Sequence, residues 1–299
     1  MFHNIDEYLS QLRSDLQGCD PATIQDALAD AEDHLRSALA GAQETSPERS
    51  HSEMLSGILE EYGSPEEVAA AYRDIERRLP PALAPSARAA AQAAERPFWA
   101  RFLGVVLEPH AWGALLYMII SLLTGILYFT WAVTGLSLSA GLLILVIGVP
   151  FMLLFMLSVR GISLVEGRII EALLGVRMPR RAIFVDSTKG FWNRVRELLL
   201  SWLTWKTVIY MLLMLPLGII YFTLFITLLA LGVSLTAAPF VQLLYHFPMI
   251  TINESRYFLP VWSMPLWTLG GILLLLASMH LAKLIGRVQG GFAKFMLVG

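Results

Sequence analysis

The residues able to do chemistry are few. Tyr117, Tyr128, Tyr210 and Tyr221 recur in two similar apolar stretches. They are the candidate ligand-binding residues, for an apolar ligand or a lipid held between the stretches. Packing of helices is the alternative, and both stay open. Of the ionisable groups, only His280 is expected inside an apolar span, near its end. His3, His34, His51, His110 and His246 have no zinc-protease or other metal spacing. Glu32, Asp33 and His34 are consecutive, so on a helix they point apart and cannot share an ion. The single Cys19 cannot form an intramolecular disulfide. No phosphate-binding glycine loop, nucleophile elbow or pair of intramembrane carboxylates appears. The expectation is a protein that is not an enzyme, has no cofactor and no metal, and is neither a proton pump nor an ion-coupled transporter.

The elements that hold these residues belong to two solvents. Mean hydropathy is +0.60, and only 15% of residues are charged, against about 25% in soluble domains. Residues 1–96 carry 18 acidic and 8 basic side chains, and residues 97–299 carry 6 and 14. An acidic head therefore precedes a basic, apolar body. The fold class predicted is all-α: a small helical domain at 1–78, a Pro/Ala-rich linker at 79–104, and a polytopic membrane domain at 105–299. The start, MFHNIDEYLSQLRSDL, has no basic segment followed by an apolar run and is not a signal peptide.

Within the head, Ile5, Tyr8, Leu9, Leu12 and Leu16 recur at helical spacing. Asp20-Pro21 starts a second helix, apolar through Ile24, Leu28, Ala31 and Leu35 and acidic through Asp26, Asp30, Glu32 and Asp33. Ser46-Pro47-Glu48 restarts the chain again. Ser64-Pro65-Glu66-Glu67 is a capping box with Pro at the first helical position. The order EYLSQL, DALADAEDHL and ILEEYGSPEEVAAAYRD resembles the HAAS signalling domain over about residues 5–78. That resemblance implies a cytoplasmic signalling or interaction domain without catalytic residues.

The body predicts spans at about 112–134, 136–159, 206–230 and 264–282, each close to the ~20 apolar residues that cross a bilayer. Gly135 is predicted as the tight turn of the first hairpin. Residues 112–138 align without gaps to 205–231 with 12 of 27 positions identical, including Trp112/Trp205, Tyr117/Tyr210, Gly125/Gly218 and two Tyr-Phe-Thr triplets. This is a duplicated unit in parallel orientation. The segment 160–205 reads as a basic cytoplasmic loop, with amphipathic stretches at 161–176 and 191–205 in the membrane interface. Trp112, Trp205, Arg177, Arg180 and Arg181 are the expected interface anchors. The apolar neighbours of these arginines argue for membrane over nucleic acid. Residues 231–245 read as an extra or re-entrant segment; charge on either side favours four spans over five, with both termini inside.

YMIISLLTGILYFTWAVTGLSLSAGLLILVIGVP, GRIIEALLGVRMP and YMLLMLPLGIIYFTLFITLLALGVSLTAAPF resemble the sensor domain family of bacterial membrane proteins and histidine kinases. The likeness covers about residues 105–290. A phosphoacceptor box and ATP-binding glycine motifs are absent, so kinase activity does not carry over. Together the two resemblances imply a multi-pass protein of the bacterial inner membrane. It would relay a membrane or envelope signal to a cytoplasmic regulator or kinase through the acidic head. The partners are the lipid bilayer, that protein and, as an open option, a second copy of the chain. The alternative is a permease-like or scaffold subunit of a transport complex, with Gly270-Gly271 and Gly286, Gly290 and Gly291 permitting close packing.

Overall fold

The computed structural model describes residues 2, 4–45, 50–84, 97–144, 148–181, 196, 199–246, 248, 250–252 and 255–298. The head contains α1 (Ile5–Asp15), α2 (Pro21–Thr45), α3 (His51–Tyr62) and α4 (Pro65–Arg78). Its local starts follow hydrogen-bonding demand. The Ser64 hydroxyl accepts from the Glu67 N–H while Glu67 accepts from the Ser64 N–H, which satisfies two donors at the start of α4. Ser50 and Glu53 do the same for α3. The restart predicted at Ser46-Pro47 lies outside the described residues. Tyr8, Leu12, Leu35, Leu55 and Leu59 close the head's small core, and the Tyr8 hydroxyl donates to the Gly63 carbonyl at 3.0 Å.

After a short α5 (Phe98–Gly104) and one 3-10 turn (Val105–Leu107), the membrane domain runs as α6 (Pro109–Leu143), α7 (Gly148–Leu174), α8 (Trp202–Tyr245) and α9 (Met264–Leu297). All four are long and apolar enough to cross a membrane. Such helices satisfy their backbone internally, as hydrocarbon demands. Leu123, Leu127, Leu154 and Ile220 point outwards and are exposed, the surface that lipid covers. Between α8 and α9 lies a small antiparallel hairpin, β1 (Ile250–Ile252) with β2 (Ser255–Tyr257), in which Ile250 pairs with Tyr257.

The centre of the bundle is the crossing of α6 and α8. A Cβ on Gly125 would collide with the Met214 carbonyl, and one on Gly218 with the Ser121 carbonyl. Gly125 and Gly218 are equivalent positions of the repeat, as are Ser121 and Met214, all offset by 93. Each copy thus offers its glycine to the other's backbone about a local two-fold. Tyr117 and Tyr210 lie level with one another across the crossing, so α6 and α8 run parallel. Close approach of this kind is what small residues permit between membrane helices.

Three segment expectations change. Gly135 is inside α6, not at a turn. Its missing side chain admits the Phe155 ring of α7, so the glycine serves helix packing. Residues 160–174 continue α7 and do not belong to a loop. The loop begins at Gly175, whose left-handed conformation (φ +64°) ends the helix and turns the chain towards the head. A Cβ there would meet the backbone of Leu83 and Ala84. Residues 231–245 extend α8 without a break, which leaves four candidate spans. The linker residues 85–96 and, of the amphipathic stretch predicted at 191–205, residues 191–195, 197 and 198 lie outside the described residues.

The head sits at the end of the bundle where α6 and α8 begin and α7 and α9 end. Lys294 near the end of α9 pairs with Asp20 of the head. Asp26 on α2 accepts from the backbone N–H groups of Arg180 and Arg181 at 2.6 and 2.9 Å. The Arg181 side chain pairs with Asp30 at 2.7 Å, and Gln25 donates to the Arg181 carbonyl at 3.2 Å.

Candidate functional site

The four tyrosines converge through two residues that the sequence reading did not single out, Glu166 on α7 and Gln289 on α9. Tyr117 and Tyr210 donate to Oε1 of Glu166 at 2.7 and 2.8 Å. Tyr128 donates to Oε2 at 2.8 Å. Gln289 holds the other side: its Oε1 accepts from Tyr221 at 3.0 Å. Its Nε2 donates to the Tyr117 and Tyr210 hydroxyls at 3.3 and 3.4 Å. All four spanning helices therefore meet in one polar cluster. Glu166 and Gln289 are each only 1% exposed.

Local sequence explains why the carboxyl points inwards. Ile162, Ile169 and Ile170 share the buried or half-buried side of α7 with Glu166, while Val165 and Arg168 face outwards. Helical spacing of three and four puts the acid in the middle of that apolar stripe. An acid there is costly unless it is hydrogen-bonded, and three phenol donors serve both of its oxygens.

Glu166 and Gln289 are themselves equivalents. Ile162, Val165, Gly167 and Leu174 of α7 match Ile285, Val288, Gly290 and Leu297 of α9, all offset by 123. With Glu166 set against Gln289 in that alignment, each half has the same contact: Tyr128 to Glu166, and Tyr221 to Gln289. The duplication thus covers a whole hairpin, and its two polar positions differ by one charge. The 123-residue offset is the sequence signal that points to Glu166. It is weaker than the first repeat because it lies on a second register, beyond a loop of different length.

The earlier expectation that His280 is the only ionisable group within a span is overturned by Glu166. His280 itself stacks on the Phe102 ring, with centroids 5.1 Å apart, and Nε2 meets the Phe102 carbonyl at 3.1 Å. It is a packing residue. Glu108 at the start of α6 pairs with Lys283 of α9. No group of three or more potential metal-ligating side chains occurs among the described residues.

The expected anchors divide. The Trp112 indole donates to the Val106 carbonyl at 2.8 Å, and the Trp205 indole to the Leu199 carbonyl at 2.7 Å. Val106 and Leu199 are again 93 apart, so both copies fold their lead-in segment against the first turn of the helix. Arg177, Arg180 and Arg181 do not stand free towards a headgroup layer. Arg177 donates to the Glu76 and Leu79 carbonyls. Arg180 pairs with Glu171 at 3.5 Å, and Arg181 with Asp30 and Asp33. An acidic helix face attracts this segment more strongly than its interfacial pattern suggested. Burial pushes the Asp26 carboxyl above its ordinary range, against the opposing pull of the Arg181 and Arg180 backbone donors.

A crevice of about 30 Å³ lies where head and bundle meet, room for a water or two. Gln25, Arg160, Ser163, Thr204 and Thr207 supply its polar lining. Arg160 donates to the Thr204 hydroxyl at 3.4 Å. Ser163 and Thr207 stand one helical turn before Glu166 and Tyr210 respectively.

A family model described as "Putative sensor" matches residues 117–297, and one described as "HAAS" matches residues 7–71. No curated protein and no solved structure gives a match to the chain.

Proposed function

The chain belongs to the Putative sensor family, and on that premise we propose that it relays a membrane or envelope signal to a cytoplasmic protein through its acidic head. It is a multi-pass membrane protein with a sensor and signalling role. The observation that carries the relay is the dock between Asp26, Asp30 and Asp33 and the Arg177–Arg181 segment. Half-exposed ion pairs contribute little each, about 0–1 kcal/mol. A partner with its own basic surface can therefore compete for the same acidic face. In this reading the chain is non-enzymatic, the membrane is the bacterial inner one, and the head is cytoplasmic. The basic character of the head end supports that orientation.

A photo-crosslinking residue at exposed Ser37 of α2, in the full chain in native membranes, tests the relay. Cytosolic protein adducts are expected, and they should rise several-fold in Arg181→Glu, which frees the acidic face. The absence of protein adducts in both forms removes the output. In a C19S background, a cysteine at Ser37 should resist an impermeant maleimide added to intact cells, while one at His246 should react. The opposite pattern reverses the orientation.

A further inference from the structure

We propose that Glu166 is a proton-binding site and the input of the sensor: ionised, its carboxylate latches the two halves of the bundle, and on taking up a proton it lets the head go. The inference rests on the relay reading for its meaning but not for its test.

The geometry selects the ligand. Both carboxyl oxygens lie within 2.8 Å of phenol oxygens. No ion or molecule fits between them without parting the helices; a proton does. The donor count sets the consequence. An ionised carboxylate is acceptor-only and takes all three O–H groups. A protonated one presents an O–H of its own, so one phenol must turn away or turn round. The phenols come from both copies of the repeat, Tyr117 and Tyr128 from α6 and Tyr210 from α8. Turning one of them loosens the contact of α7 with the central crossing.

The charges around the cluster leave Glu166 as the group that answers. From α6 the facing titratable groups are Tyr117 and Tyr128, from α8 Tyr210, and from α9 none, since Gln289 stands there. Lys206 of α8 donates to the Phe295 carbonyl. Lys283 and Lys294 of α9 are paired with Glu108 and Asp20, Arg168 of α7 is paired with Glu171, Arg160 of α7 donates to the Thr204 hydroxyl, and Arg287 of α9 acts on His110. The crevice beside Ser163 and Thr207 reaches to within one helical turn of the cluster from the head side, with room for a water.

The output lies on the same helix. Eight residues after Glu166, α7 ends at Leu174, and the Gly175 turn delivers Arg177–Arg181 to the head. Asp26 grips the backbone N–H groups of Arg180 and Arg181, so the dock depends on where α7 places that backbone. Asp26 also tells the two acids apart. Its carboxyl is raised by burial in the dock, so acid favours docking at Asp26; acid release must come from elsewhere.

The test uses the full chain in nanodiscs, with fluorophores at Gly41→Cys and Gly291→Cys in a C19S background. An added Cβ meets open space at both glycines. Energy transfer between head and bundle should be high in neutral buffer and fall on acidification. Glu166→Gln should lower the docked-to-released ratio about tenfold in neutral buffer, a coupling of ordinary size, and abolish the acid-induced fall. Gln is buildable there, as Gln289 shows at the equivalent position. Tyr128→Phe keeps the carboxyl and removes one of its three donors, so the docked-to-released ratio in neutral buffer should fall, by less than in Glu166→Gln. His110→Gln and His280→Gln should leave the response intact. An unchanged acid response in Glu166→Gln, or a docked-to-released ratio that Tyr128→Phe leaves unchanged, overturns the proposal. Release without any cytosolic adduct at Ser37 would fail the relay reading and leave this one standing.

Discussion

At the scale of single residues, the buried Glu166 and Gln289 are satisfied by tyrosine. Tyr210 donates to the Glu166 carboxyl, and a hydrogen bond to a charge contributes about 1.5–3 kcal/mol in water-soluble proteins, but about 0.6–1.7 between membrane helices. Tyr210→Phe should therefore destabilise the membrane domain by about 1–2 kcal/mol, read by unfolding in mixed micelles; a neutral result would mean that Glu166 has no need of this donor. Tyr8 makes the parallel case in the head. Burial and the nearby Tyr62 and Glu67 charges push its phenol up to about 12, above the unfolded value near 10. A group raised on folding supports the fold below its unfolded value and loses that support as pH rises through the folded one. Head helicity should accordingly decline between about pH 10 and about pH 12, and Tyr8→Phe should weaken that alkaline loss while costing about 1 kcal/mol at neutral pH. The four tyrosines of the cluster were visible as repeated residues. Their acceptor was not, because Glu166 sits past the stretch that hydropathy alone marks as a span. Two acids and four arginines from residue 160 to residue 180 read locally as a polar loop, and only the tertiary contact with α6 and α8 shows that Glu166 faces inwards.

Among the elements, the long helices show what hydropathy does and does not fix. Apolar length announced four spans and Ser-Pro-Glu-Glu announced the start of α4, since both are local physical demands. Gly135 and residues 231–245 were less legible. A glycine in an apolar stretch reads as a turn in water, but in hydrocarbon an interrupted backbone is expensive, so α6 continues through Gly135 to Leu143 and α8 continues to Tyr245. Pro216 and Pro239 lie inside α8 without ending it. The same logic makes Gly218 a structural residue of the crossing. Gly218→Leu would drive a side chain into the Ser121 carbonyl, and overpacking of that kind costs about 1–3 kcal/mol. The variant should lower the thermal midpoint of the purified protein in detergent, and Gly141→Leu, where nothing lies within 4 Å of an added Cβ, should not. Equal behaviour of the two would place the helix contact somewhere other than Gly218.

For the whole molecule, the split into an acidic head and a basic body is both an architecture and a poised interaction. Charge totals announced two domains, but they could not say that the two bind each other. Of the arginines expected at lipid headgroups, Arg181 pairs with Asp30 and Asp33 of α2, Arg177 donates to carbonyls at the end of the head, and Arg180 pairs with Glu171 while its backbone N–H donates to Asp26. Buried Glu166 and half-buried Asp26 then act on the docked state in opposite senses. Protonation of Glu166 favours release, whereas Asp26, raised in the dock, makes docking tighter as pH falls through its docked value, because the docked head holds that proton more strongly than the free head does. Asp26→Asn keeps an acceptor for the Arg180 and Arg181 N–H groups and removes the titration. In the wild-type background it should make acid release more complete, since the opposing gain is lost. In Glu166→Gln, where the releasing group is gone, acid should slightly raise head-to-bundle energy transfer, and adding Asp26→Asn should flatten that rise. A flat response in Glu166→Gln alone would mean that Asp26 does not sense the dock, and the two-carboxyl balance would reduce to Glu166.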